Sequence, residues 1–117
     1  MTKITIVHNP RCSKSRQTLQ LLQEQGYQPE IVEYLKQPLS AKTLKQYLDM
    51  LGFDSARQLM RKNEDEYKQL NLSDEQLGET ELIDVMVSHP KLIERPIVIA
   101  NQQARIGRPP ESVLEIL

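Results

Sequence analysis

"KITIVHNPRCSKSRQTLQLLQEQG", residues 3–26, decides the fold. Residues 3–7 (KITIV) are few and rich in β-branched side chains, which reads as a strand. Asn9-Pro10 breaks it. Residues 13–25 contain no Gly or Pro, and Leu19, Leu21 and Leu22 supply an apolar face. Gly26 then acts as a helix stop. Residues 30–34 (EIVEY) read as a second short strand. Strand, helix and strand within about 30 residues is the size of a βαβ unit, which implies parallel strands and a right-handed crossover.

Outward from that unit the pattern turns helical. Ser40 is placed to cap a helix with Leu44, Tyr47, Leu48 and Leu51 at helical spacing before Gly52. Ser55 is placed to cap a short helix running to Arg61, and Ser73 to Gln76 has the spacing of a capping box. Residues 79–88 form a further helix, with Leu82, Ile83 and Met86 inward, that must end before Pro90. No strand is expected between Pro38 and His89. The β signal returns at residues 97–100 (IVIA), followed by a turn at Asn101-Gln102 and a fourth strand at 103–106, antiparallel to the third. Pro109-Pro110 suits the first turn of a last helix with Val113, Leu114 and Leu117 on one face. The expected fold class is α/β. A four-stranded mixed sheet carries a helical insertion, about residues 38–90, between the second and third strands. That order matches the thioredoxin/glutaredoxin fold, in a single domain spanning residues 1–117.

Composition sets the outer limits. Fifteen basic and 16 acidic residues leave a net charge of −1, so nothing in the balance points to nucleic acid or an anionic membrane surface as a partner. No apolar run approaches the length that crosses a bilayer, and the N-terminus lacks the pattern of a signal peptide. One cysteine cannot form an internal disulfide, so a cytoplasmic location is expected. One Cys and two widely separated histidines, His8 and His89, give no metal pattern.

That one cysteine, Cys12, falls between a strand end and a helix start. Backbone N–H groups and the helix dipole there stabilise an anion, and Arg11, Lys14 and Arg16 add positive charge. Both effects favour the thiolate, which is the nucleophile, and the same helix end suits a bound oxyanion. The competing reading is a buried structural cysteine, against which the charged neighbours argue. The spacing C-x-x-S (Cys12, Ser15) leaves no second thiol in the motif, so a disulfide at Cys12 must be resolved from outside. The C-x5-R loop of low-molecular-weight phosphatases is excluded, because Thr18 stands six beyond the cysteine. His8 is placed to orient the thiolate or to stabilise it as imidazolium, or else is a loop histidine. Ser15, one turn on, either hydrogen-bonds the sulfur or is an ordinary first-turn serine.

"HNPRCSKSR" (8–16) resembles the active-site segment of the glutaredoxin-dependent arsenate reductases. "LMRKNEDEY" (59–67), "LIDVMVSHPKLIERPIVI" (82–99) and "ARIGRPPESVLEIL" (104–117) resemble that family's other motifs, so the likeness spans nearly the whole chain. Ser13-Lys14 stands where well-known members carry Gly-Thr, which marks an Arg-Cys-Ser-Lys-Ser subgroup. The resemblance implies Cys12 as catalytic nucleophile and Arg61, Arg95 and Arg108 as the oxyanion-binding arginines. Guanidinium forks bind tetrahedral oxyanions bidentately and offset repulsion between an anionic substrate and a thiolate. It further implies a cis Arg95-Pro96 bond, no bound cofactor, glutathione as co-substrate and glutaredoxin as partner. The implied activity is reduction of arsenate, or another small oxyanion, through the cysteine. Two alternatives share the scaffold: a glutathione-linked thiol-redox protein, and a non-enzymatic regulator that binds RNA polymerase.

Overall fold

The computed structural model describes residues 3–117. Two compact units are formed, one by the residues up to Gln37 together with Arg95–Leu117, the other by Pro38–Glu94.

The first unit contains β1 (Ile4–His8), α1 (Ser13–Glu24), β2 (Glu30–Glu33), β3 (Ile97–Ala100), β4 (Gln103–Ile106) and a 3-10 helix at Pro110–Ile116. The strands make one sheet in the order β2-β1-β3-β4. β1 runs parallel to β2 and antiparallel to β3, and β3 runs antiparallel to β4. This is the expected four-stranded mixed sheet, with helices occupying the chain between β2 and β3. Ile4, Ile6, Leu22, Val98, Ala100, Val113 and Ile116 form its buried cluster, on which Leu19, Tyr27 and Leu117 pack. The two-residue hairpin loop Asn101-Gln102 has positive φ at both positions, the primed geometry that matches strand twist without a glycine. The Asn101 side chain donates to the Ile116 carbonyl at 2.8 Å, which ties the turn to the last helix.

Three boundaries differ from expectation. β1 continues one residue further, so His8 is a buried strand residue. β2 stops at Glu33, and Tyr34 is buried just beyond it. The last helix is 3-10 rather than α, and Pro110, Val113 and Ile116 point inward at the three-residue spacing of that helix. Leu114, expected on the inner face, is therefore exposed.

The second unit is helical. α2 (Ala41–Leu51) starts at Ser40, whose hydroxyl accepts from the Thr43 N–H, and ends at Gly52 in the left-handed conformation. A 3-10 turn at Ala56–Leu59 opens with a capping box between Ser55 and Gln58. α3 (Asp65–Gln69) and α4 (Glu79–Ser88) follow, then a 3-10 turn at Pro90–Leu92. No helix starts at the expected capping box of Ser73 to Gln76. There the Asp74 side chain accepts from the Gln76 N–H, and the Arg57 guanidinium donates to the Leu72 and Asp74 carbonyls. Those bonds hold the segment as turns until α4 begins after Gly78. Met60 and Ile93 make an isolated antiparallel bridge. Among the described residues, no helix is long and apolar enough to cross a membrane.

The inward stripe of α1 is Ser15, Thr18 and Leu22, polar at its upper end. Thr18 donates to the Lys14 carbonyl at 2.8 Å and packs on Gly107, whose N–H donates to the Pro96 carbonyl at 3.0 Å. A Cβ at position 107 would stand 2.8 Å from Pro96 Cγ and closer still to the Thr18 hydroxyl. Gly107→Ala should therefore destabilise the protein by about 1–3 kcal/mol, the usual cost of overpacking. Urea unfolding checks this, and adding Thr18→Ala should restore part of the loss. An unchanged midpoint in the single variant would refute the seam.

Candidate active site

Cys12 occupies the N-cap position of α1, in extended backbone (φ −91°, ψ 124°). The loop before it is fixed by short-range bonds. The Cys12 N–H donates to the Asn9 carbonyl at 3.0 Å, and the Arg11 N–H donates to the Asn9 side-chain oxygen at 3.0 Å. Asn9 itself is buried, and its N–H donates to the Ser15 hydroxyl at 3.0 Å. The Cys12 carbonyl accepts the first bond of the helix, from the Arg16 N–H. The turn is thus built by Asn9 and closed by Ser15, and the sulfur is left half-exposed at the helix start.

Partial burial by itself raises the Cys12 thiol pKa. The Ser15 N–H, the Arg95 guanidinium through hydrogen bond and charge, and the Lys14 N–H outweigh it, so the net shift is downward. Arg108 approaches from the segment between β4 and the last 3-10 helix, with Nη2 3.5 Å from Cys12 Sγ. Its Nε donates to the Arg95 backbone carbonyl at 2.9 Å, which turns the guanidinium edge toward the sulfur. Both arginines precede cis prolines, at Arg95-Pro96 and at Arg108-Pro109. The first cis bond is the one the resemblance implies, and the second is additional.

Of the predicted site residues, the structure brings together Cys12, Arg95, Arg108, Ser15 and His8 in the first unit. Arg61 belongs to the second unit, where its Nε pairs with Glu64 at 3.1 Å and its Nη1 with Glu94 at 3.2 Å. Ser15 serves the sulfur through its backbone N–H. Its hydroxyl is engaged instead with the Asn9 N–H and with His8 Nδ1, 2.6 Å away. His8 is buried beside Glu33, its partner across the parallel pair. Burial lowers the His8 pKa; Glu33 opposes that and Arg16 reinforces it, and the result lies below the ordinary histidine value. Burial thus favours the neutral ring, and the contact His8 makes is with the Ser15 hydroxyl. Asn9 was overlooked as a site residue in sequence because Asn-Pro signals a chain break and not a buried anchor. Among the described residues, no group of three His, Cys, Asp or Glu side chains could hold a metal ion.

The buried ring has a consequence for stability. Its folded-state pKa lies below the unfolded value near 6.5, so on acidification the unfolded chain takes up the proton first. Stability from this group is full above about pH 6.5 and is lost as pH falls toward the folded-state value. Thermal unfolding at pH 7.5 and 5.5 should show a larger loss for the wild type than for His8→Gln. Equal losses would rule the coupling out.

The arrangement can do specific chemistry. A cysteine of lowered pKa at a helix start, with two guanidinium groups at its sulfur, offers a nucleophile beside oxyanion donors. The comparisons with known proteins agree in kind. A model of the ArsC family matches residues 7–116. The chain is 62% identical over 118 residues to the uncharacterized protein YfgD of Escherichia coli K12, covering 100% of this chain and 99% of that one. It is 50% identical to an arsenate reductase of Haemophilus influenzae, covering 97% and 98% of the two chains. The solved structure of an arsenate reductase from Vibrio cholerae superposes with a TM-score of 0.98 at 52% identity, covering 99% and 98%. With the match running from the end of β1 to the last 3-10 helix, the chain belongs to the ArsC family.

Proposed function

We propose that this protein is an arsenate reductase working through the Cys12 thiolate, with glutathione and glutaredoxin as thiol donors. The observation that supports it most is the pair of guanidinium groups, Arg95 and Arg108, at the sulfur of a cysteine whose pKa is lowered. The named arsenate reductases among its relatives supply the oxyanion.

The Cys12 thiolate attacks arsenic, a sulfur–arsenic bond forms, and one oxygen leaves as water after protonation. A glutathione thiolate then attacks the Cys12 sulfur. The sulfur–arsenic bond breaks with its electron pair going to arsenic, which falls from the pentavalent to the trivalent state. Arsenite leaves, and Cys12 is left in a mixed disulfide with glutathione. A glutaredoxin thiolate attacks the glutathione sulfur and releases the Cys12 thiolate. Arg95 and Arg108 hold the substrate oxygens and offset the charge of the incoming oxyanion. Arg61 enters this scheme only through the resemblance, as a third oxyanion-binding candidate; within the second unit its guanidinium pairs with Glu64 and Glu94. With a single thiol in the chain, every resolving sulfur comes from a partner, which fits a reducing cytoplasm.

The test is arsenite production from arsenate by the purified protein, with both donors and with each omitted. Turnover that needs glutathione and glutaredoxin is the expected result. A folded protein whose Cys12 alkylates readily but which forms no arsenite would overturn the arsenate reading. Disulfide exchange in such a protein would move it to the thiol-redox class.

A further inference from the structure

The turn that delivers Cys12 to α1 is gripped by the helix it opens. Asn9, Pro10, Arg11 and Cys12 form a β-turn, closed by the Cys12 N–H on the Asn9 carbonyl. Proline at the second position suits type I and type II turns alike, and the two differ by a flip of the peptide between Pro10 and Arg11. Type II needs positive φ at the third position, and φ is not positive at Arg11. The peptide is therefore held in one of its two orientations, and both of its polar groups are bonded. Its N–H donates to the Asn9 side-chain oxygen at 3.0 Å. Its carbonyl, that of Pro10, accepts from Arg16 Nη1 at 2.9 Å. Arg16 stands four residues past the cap, and its own N–H donates to the Cys12 carbonyl at 3.0 Å. Helix side chains lean toward the N-terminus, so the guanidinium reaches back over the start of α1 to Pro10. Ser15 holds the same β-turn from the buried side, where its hydroxyl accepts from the Asn9 N–H, and the exposed Arg16 holds it from the solvent side.

We propose that Arg16 is a positioning residue for the Cys12 chemistry, a clasp that fixes the Pro10–Arg11 peptide and through it the place of the sulfur; the proposal rests on the cysteine-based reading above. Its task differs from that of Arg108, which aims its guanidinium at the sulfur, whereas Arg16 commits its guanidinium to backbone. The clasp is independent of the charge on the sulfur. N–H groups at a helix start hold a thiolate, but that hold weakens once Cys12 is bonded to arsenic and again in the mixed disulfide. The bond between Arg16 and Pro10 is the same at every stage, so the turn keeps presenting the sulfur in line for the next attack. Loss of the clasp slows the steps after substrate binding and spares binding itself.

The experiment compares two variants of the full chain. Arg16→Met removes both donor and charge, and Arg16→Lys keeps the charge but replaces the planar fork by one ammonium on a shorter stem. In both, the Arg11 amide should exchange its hydrogen about tenfold faster, while the urea midpoint stays close to wild type because Arg16 is exposed. In the arsenite assay both should lower kcat about tenfold and leave KM for arsenate within twofold. Wild-type exchange and kcat in Arg16→Met would overturn the proposal. Full recovery in Arg16→Lys would overturn it too, by assigning Arg16 an effect of charge alone. Faster exchange with unchanged kcat would reduce the clasp to a surface bond without a positioning role. If the wild type makes no arsenite, the arsenate reading falls and the clasp is judged on Cys12 itself. The midpoint of its alkylation by iodoacetamide should then move to higher pH in both variants, as the sulfur slips from the N–H groups of the helix start.

Discussion

Cys12→Ser should cut arsenite production to below about one-thousandth of the wild-type rate, because a serine hydroxyl is not ionised near neutral pH and forms no reducible bond to arsenic. The same substitution should make the protein more stable. Cys12 is the N-cap of α1, and its sulfur feels the Ser15 and Lys14 N–H groups without reaching the geometry of a side-chain capping bond. Serine is among the best residues at that position, because its oxygen accepts from the N–H groups of the first turn. Those N–H groups are the ones that now face the sulfur. The expected gain is about 0.5–1 kcal/mol, visible as a higher unfolding midpoint in urea. An inactive but stabilised variant is the signature of a position kept for chemistry at the expense of the helix. Residual turnover above one-hundredth would remove Cys12 from the nucleophile's role.

Arg108→Ala should lower kcat/KM for arsenate by about 100-fold, the scale on which removing one oxyanion donor acts. The guanidinium stands within 3.5 Å of the sulfur and is aimed by its Nε bond to the Arg95 carbonyl. Arg108→Lys should recover little, since a single ammonium cannot hold that carbonyl and offer a second, fixed N–H edge together. Because Arg108 is exposed, its removal leaves the buried cluster of the first unit untouched, and the unfolding midpoint should stay within about 0.5 kcal/mol of wild type. Activity within twofold of wild type in both variants would exclude the guanidinium from substrate binding.

Much of the fold was legible because its signals are local. The β-branched runs at 3–7 and 97–100, the Gly/Pro-free stretch of α1 and the leucines of α2 each announce their element within a few residues. What escaped is physical in origin. α3 has five residues, too few for a helical period to show. The last helix follows a three-residue period that an α-helical reading spreads over the wrong face, as Leu114 shows. The false capping box at Ser73 has the same spacing as the real one at Ser55. The difference lies in the Arg57 guanidinium, which reaches the Leu72 and Asp74 carbonyls from a distant part of the chain. At the site, Cys12 could be read from its own neighbours. The approach of Arg95 and Arg108 could not, because their side chains arrive from 83 and 96 positions away. Only the resemblance to a known family singled those arginines out beforehand. The roles of Ser15 and His8 were blurred for the opposite reason: the sequence placed them near Cys12 but could not say which atoms would face each other.

The tight seam between Thr18 and Gly107 also restricts how this sequence can drift. Neither position can enlarge alone, since the space for one is already filled by the other and by Pro96. A lineage that acquires a larger residue at 107 must first shrink residue 18, and doing so surrenders a buried threonine at the centre of α1. The two positions behave as one inherited character although 89 residues separate them. An engineer loosening the pocket beside Arg108 would have to change both together.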